Sequence, residues 1–171
     1  YGLNLEAIDK ILTFSQNILV LDCGSNNLKE QEYIINQGGQ IMIIDHHECE
    51  LFFDQAIVVN PKTPNDQSEL DDLCATALTF LVLIYLKNEN IFPNIDVLQY
   101  LELVALATIC DLVTLSEINR RFVKQGLKVI KSERVNKGKQ TQNNQSKIKQ
   151  QISEYQLGYI LGTRINAGGR M

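Results

Sequence analysis

Between Leu3 and Phe14 the apolar residues fall at Leu3, Ala7, Ile8, Ile11 and Leu12, the spacing of one helix face. The pattern then changes to short unbroken runs. Ile18 to Leu21 is four apolar residues followed at once by Asp22-Cys23-Gly24, and Ile41 to Ile44 is another four followed by Asp45-His46-His47-Glu48. Runs of this length predict buried strands. Ser25-Asn26-Asn27 supplies helix N-cap candidates, Leu28 to Gln37 a helix, and Gly38-Gly39 its stop. Strand, helix, strand at this length is a βαβ unit. Its strands are parallel, its crossover is right-handed, and both strands end on one edge of the sheet. Ala56 to Asn60 predicts a third short strand, stopped by Pro61.

Beyond a polar loop from Lys62 to Leu70, Leu73 to Leu86 is almost continuously apolar and predicts a buried helix with Asp71-Asp72 at its start. Asn94 or Asp96 opens the next helix, from about Val97 to Cys110, which is apolar all round and delivers Asp111 at or just past its C-terminal end. An anion is unfavourable there by the dipole argument, so a nearby cation is expected. Ser116 caps a basic amphipathic helix. Residues 131–151 are rich in Lys, Gln and Asn, nearly free of apolar residues, and expected to form a mobile loop. A short helical stretch from Ser153 to Ile160 leads into Leu161 to Arg170. The fold class that follows is α/β, a parallel sheet flanked by helices.

Composition narrows this picture in two ways. Mean hydropathy of −0.10 describes an ordinary globular chain, and the run Leu73 to Leu86 falls short of the roughly 20 residues a membrane span needs. No membrane association is expected, and with no signal peptide the location expected is cytoplasmic. The net charge of −4 hides a split: residues 1–114 hold four Lys/Arg against 17 Asp/Glu, and residues 115–171 hold 12 against three. The acidic part, 1–115, suits cations, and the basic part, 116–171, suits a polyanionic partner, the alternative being a solvated basic face.

The candidate chemistry sits at the strand ends. Ligands bind open α/β sheets outside the carboxyl ends of the strands, where Asp22 and Asp45-His46-His47 converge. His46 and His47 are the only histidines in the chain. Asp45-His46-His47 alone reads equally well as a turn with a capping Asp and two solvated imidazoles, but two acidic strand ends on one edge favour a metal site. The four cysteines (Cys23, Cys49, Cys74, Cys110) form no C-x-x-C pair and no zinc spacing, and are read as reduced thiols. Arg164, Asn166 and Arg170 stand among three glycines in the segment 162–170, a composition that suits a phosphate-binding loop or simply a flexible one.

Asp45-His46-His47 after a strand, with Leu21-Asp22-Cys23-Gly24 ending the preceding one, resembles the DHH phosphoesterase superfamily. Ala105 to Leu115 followed by Asn119-Arg120, and Arg164-Ile165-Asn166-Ala167-Gly168-Gly169-Arg170, resemble motifs of its RecJ-like branch. The resemblance covers about Asp22 to Arg170. Thr163 stands where the family usually has proline, and Gly168 where it usually has alanine. The resemblance implies a 5′→3′ exonuclease that hydrolyses single-stranded DNA with two Mn²⁺ or Mg²⁺ ions, in DNA repair and recombination. By the same resemblance Asp22 bridges the two ions and His46 and Asp111 are ligands to one. His47 faces the scissile phosphate, Asp45 supports it, and Arg164, Asn166 and Arg170 contact phosphates. Such a site needs carboxylate and imidazole donors, which suit Mn²⁺ or Mg²⁺.

Two other readings compete. One is a DHH phosphoesterase acting on short oligonucleotides, cyclic dinucleotides or pyrophosphate. The other is a non-catalytic DHH module that binds nucleic acid. The family's first motif, an Asp-x-Asp pair on an upstream strand, is not in the sequence, nor is the C-terminal domain that completes the cleft. The chain is therefore read as a partial DHH domain, expected to be inert or nearly so by itself.

Overall fold

The computed structural model describes residues 2–51, 53–64 and 66–131. The chain divides into two units between Thr79 and Phe80. In the first unit, helix α1 (Leu5–Leu12) starts at Asn4, whose side-chain oxygen accepts the Ala7 amide at 2.9 Å. Strand β1 (Asn17–Leu21), helix α2 (Leu28–Asn36) and strand β2 (Gln40–Ile44) follow as the βαβ unit. Strand β3 (Ile57–Val59) completes a three-stranded sheet of order β1-β2-β3, parallel throughout. The α/β class with a parallel sheet flanked by helices is as expected.

The core of this unit forms where α1 and α2 press Ile8 and Ile34 against Ile18, Val20, Ile41 and Ile43. The strands differ in burial. β2, with a neighbour on each side, buries Ile41, Ile43 and Ile44, whereas β1 buries Ile18 and Val20 and leaves Leu19 and Leu21 about half exposed (58% and 47%). The ladder is in register from Asn17 opposite Gln40 to Leu21 opposite Ile44, and Ile44 lies opposite Val59. All three strands therefore stop at one level. The next residue in each is polar: Asp22, Asp45 and Asn60.

Helix α3 (Ala75–Asn88) begins two residues later than the apolar run suggests, because Asp71-Asp72 lie in a turn and not in the first helical residues. In the second unit the predicted Val97–Cys110 helix opens as a 3₁₀ turn (Val97–Tyr100) and continues as α4 (Leu101–Cys110). Helix α5 (Glu117–Lys131) packs Val123, Leu127 and Ile130 against Leu106 and Ile109 of α4. The α4–α5 crossing is close because of Gly126, where a Cβ would sit 2.3 Å from the Leu101 carbonyl oxygen and 2.4 Å from Ala105 Cβ. Phe80 and Phe122 meet edge to face, with centroids 5.7 Å apart. No described helix is long and apolar enough to cross a membrane. The expected mobile loop 131–151, but for the helical backbone at Lys131, the stretch Ser153 to Ile160 and the segment 162–170 lie outside the described residues.

Candidate metal centre at the strand ends

Where β1 stops, the ladder carries one bond further, from the Asp22 amide to the Ile44 carbonyl at 3.0 Å. Asp22 then turns into the left-handed region at φ 63°, uncommon for a residue with a side chain and found disproportionately at functional sites. The turn is completed by Gly24 at φ +107°, where a Cβ would crowd Val20 Cγ1 at 3.2 Å. The 59% exposed Asp22 carboxylate lies 3.4 Å from Nε2 of His46, whose side chain is only 12% exposed. One ligand atom from each of Asp22, His46 and His47 falls within 4.8 Å of the others. One carboxylate and two imidazoles converging in this way form a donor set that fits a divalent transition ion.

Beneath them sits Asp45, 1% exposed. Its Oδ1 accepts from the amides of His46 (2.8 Å) and His47 (3.3 Å) and pairs with His47 Nδ1 at 2.7 Å, while Oδ2 accepts from the Ser25 amide at 3.1 Å. Burial pushes this carboxyl up, but the bonds from His47, Ser25 and the His46 amide outweigh it and hold Asp45 below the ordinary carboxylate range. An ionised Asp45 fixes the proton of His47 on Nδ1 and puts the lone pair on Nε2, the arrangement that orients metal-site histidines. The two rings lie 4.7 Å apart, tilted by 55°.

The support reaches across all three loops. Asn60, 4% exposed at the end of β3, donates to Ser25 Oγ at 3.0 Å and to the His47 carbonyl at 2.9 Å. Buried Gln31 of α2 donates to the carbonyls of Gly24 (2.7 Å) and Ser25 (3.2 Å). Asn26 donates to the Glu48 carbonyl at 2.6 Å. Beside this loop an open cleft of about 370 Å³ is lined by Glu48, Lys62, Asp66, Glu69 and Asp71 among others, and Lys62 pairs with Glu48 at 2.9 Å.

Of the residues singled out from sequence, Asp22, Asp45, His46 and His47 are brought together. Asp111 belongs to the other unit, as the C-cap of α4, with its amide donating to the Ala107 carbonyl at 2.9 Å and Leu112 after it at φ 56°. Arg164, Asn166 and Arg170 lie outside the described residues. All four cysteines are free thiols, and burial pushes Cys23, Cys49 and Cys110 up. The sequence reading missed Ser25, Gln31 and Asn60 as site residues. A signal for Asn60 was present: it is the third polar residue standing directly after an apolar strand.

Comparison with known proteins bears on this geometry. The DHH family, N-terminal domain, matches residues 4–108. The chain is 27% identical over 184 residues to the single-stranded-DNA-specific exonuclease RecJ of Salmonella typhimurium, covering all of this chain and 32% of that protein. It is 33% identical over 126 residues to a putative SPbeta prophage-derived single-strand DNA-specific exonuclease, YorK, of Bacillus subtilis, covering 72% of this chain and 21% of that one. A crystal structure of exonuclease RecJ bound to manganese superposes with a TM-score of 0.83 at 26% identity, over 99% of this chain and 42% of the other. RecJ in complex with Mn²⁺ from Thermus thermophilus gives 0.80, also at 26%, over 98% and 25%. The chain spans a third or less of the length of these two curated relatives. With the family's motif folded at the ends of parallel strands and its N-terminal domain matched from residue 4 to 108, the chain belongs to the DHH family.

Proposed function

We propose that this chain is the metal-binding part of a RecJ-like exonuclease that hydrolyses single-stranded DNA in the 5′→3′ direction, in DNA repair and recombination in the cytoplasm. The observation that carries the reading is the convergence of Asp22, His46 and His47 within 4.8 Å at the strand ends. The likeness to RecJ structures bound to manganese supports Mn²⁺ as the ion, with Mg²⁺ the other candidate. Asp22 and His46 would hold it, and Asp111 is proposed as a further ligand. When bound, a pair of such ions lowers the pKa of water and stabilises charge on the attacking and leaving oxygens.

The chain's own side chains have separate work. Asp22 offers a carboxylate exposed enough to serve two ions. Asp45 keeps the His47 ring from rotating, so that Nε2 meets the scissile phosphate, donating when protonated and accepting a proton when neutral. Arg164, Asn166 and Arg170 are proposed contacts to the phosphate backbone. The acidic cleft beside Glu48 repels such a backbone, so the DNA strand is assigned to the basic residues after 115.

The test is a Mn²⁺-dependent assay of the protein that carries this chain, on long 5′-labelled single strands, double strands, and di- to pentanucleotides. Degradation of long single strands from the 5′ end is expected. Preference for the shortest substrates would mark an oligonucleotide phosphoesterase, and Mn²⁺ binding without hydrolysis would mark a binding module.

A further inference from the structure

Asn60 uses both donors of its carboxamide on the site and its acceptor on its own turn. Nδ2 donates to Ser25 Oγ (3.0 Å) and to the His47 carbonyl (2.9 Å), and Oδ1 accepts from the Lys62 amide (2.9 Å). The side chain is buried, and the strand that carries it is locked to β2 by Val59, whose carbonyl accepts the Asp45 amide at 3.1 Å. The two groups it holds are the two that flank Asp45. Ser25 gives Asp45 Oδ2 its amide hydrogen, and His47 gives Oδ1 its ring hydrogen. Asp45 Oδ1 accepts from the His46 and His47 amides as well, so its plane is set by the loops after β1 and β2 together, and Asn60 ties one loop to the other.

We propose that Asn60 is a positioning residue for His47, which sets the ring's tautomer and direction by clamping the loops after β1 and β2 onto Asp45. The inference deepens the proposed function and rests on it for its catalytic meaning. Asp has about the size of Asn and, when ionised, no hydrogen to give, but it adds a charge; Asn60→Ala adds none, so an effect shared by the two variants reports the lost donors. Asn60→Ala removes donors and volume together.

The experiment records histidine imidazole nitrogen spectra of the 171-residue chain at mildly alkaline pH without metal; only His46 and His47 contribute. The native chain is expected to show His47 as a single Nδ1–H tautomer. In both Asn60 variants the His47 nitrogens should move toward the average of the two tautomers while circular dichroism stays native. In the protein that carries this chain, kcat should fall about 10- to 100-fold, as for loss of a residue supporting a metal site, with KM little changed. A native His47 signature in either folded variant would overturn the proposal, as would a native chain lacking the single tautomer. Failure of both variants to fold would make Asn60 a structural residue and overturn it equally. Absence of nuclease activity in the unaltered protein would remove the proposed function, while the imidazole spectra would still decide whether Asn60 positions His47.

Discussion

Asp22 Oδ1 and His46 Nε2 lie 3.4 Å apart across the ends of two parallel strands, and the backbone at Asp22 is left-handed. The two facts separate what charge and conformation each contribute. Asn adopts the left-handed region at least as readily as Asp, and Ala does not. Asp22→Asn should therefore keep the apo stability but weaken Mn²⁺ binding at least about tenfold, the least expected when a metal-site contact is lost. Asp22→Ala should lose the same affinity and also about 1–2 kcal/mol of stability. Calorimetric titration with Mn²⁺ and urea unfolding without it read the two effects. Unchanged affinity in both variants would remove Asp22 from the site.

Gly126→Ala should destabilise the chain by about 1–3 kcal/mol, the usual range for overpacking, and more if the helices do not separate. The added methyl group would meet a backbone carbonyl and a helical Cβ, neither of which can swing aside. Urea unfolding monitored by circular dichroism measures it, and a neutral change would show that α4 and α5 part easily.

Tyr33 of α2 donates its hydroxyl to Asp9 of α1 at 2.6 Å, and this bond raises its pKa above the ordinary 10.0. The proton is held more tightly in the folded chain. The stabilising contribution is thus fully present below the unfolded pKa and is lost as pH rises through the folded one. The tyrosinate absorbance of the chain minus that of Tyr33→Phe should titrate above 10, and Asp9→Asn should bring the midpoint down. A midpoint unmoved by Asp9→Asn would leave the bond without effect.

If Arg164 and Arg170 neutralise DNA phosphates, each change to Ala should reduce the slope of log K against log salt by about 0.7 for a single strand, without altering Mn²⁺ affinity. Salt titrations of binding to a labelled single strand supply the slopes. A slope unchanged in both variants would assign the segment a structural role.

The sheet is legible because its apolar runs are short and each is cut off by a polar residue, Asp22, Asp45 or Asn60, and the metal-capable residues stand at the first two cuts. Asp22, His46 and His47 could be found from that alone. Gln31 and Ser25 could not, since a glutamine within a polar helix stretch and a serine at its start read as surface and cap until burial is seen. Asn60, standing between an apolar run and Pro61, reads only as the end of a strand. The exposed Leu19 and Leu21 were equally invisible, because an unbroken apolar run does not say which of its faces a neighbour covers.

The level at which the three strands stop acts as a gauge. Asp22, Asp45 and Asn60 stand side by side only because Leu21, Ile44 and Val59 are aligned in the ladder. A slip of one residue would present Pro61 or Val59 to His47 in place of Asn60 and turn every side chain of the slipped strand to the opposite face. Sensitivity to mutation should therefore extend to the far end of the sheet. Asn17 and Gln40, opposite each other where the ladder begins, lie at the other end of it from Leu21 and Ile44, yet errors made there would arrive at the histidines as displacements of a full strand step, about 3.3 Å.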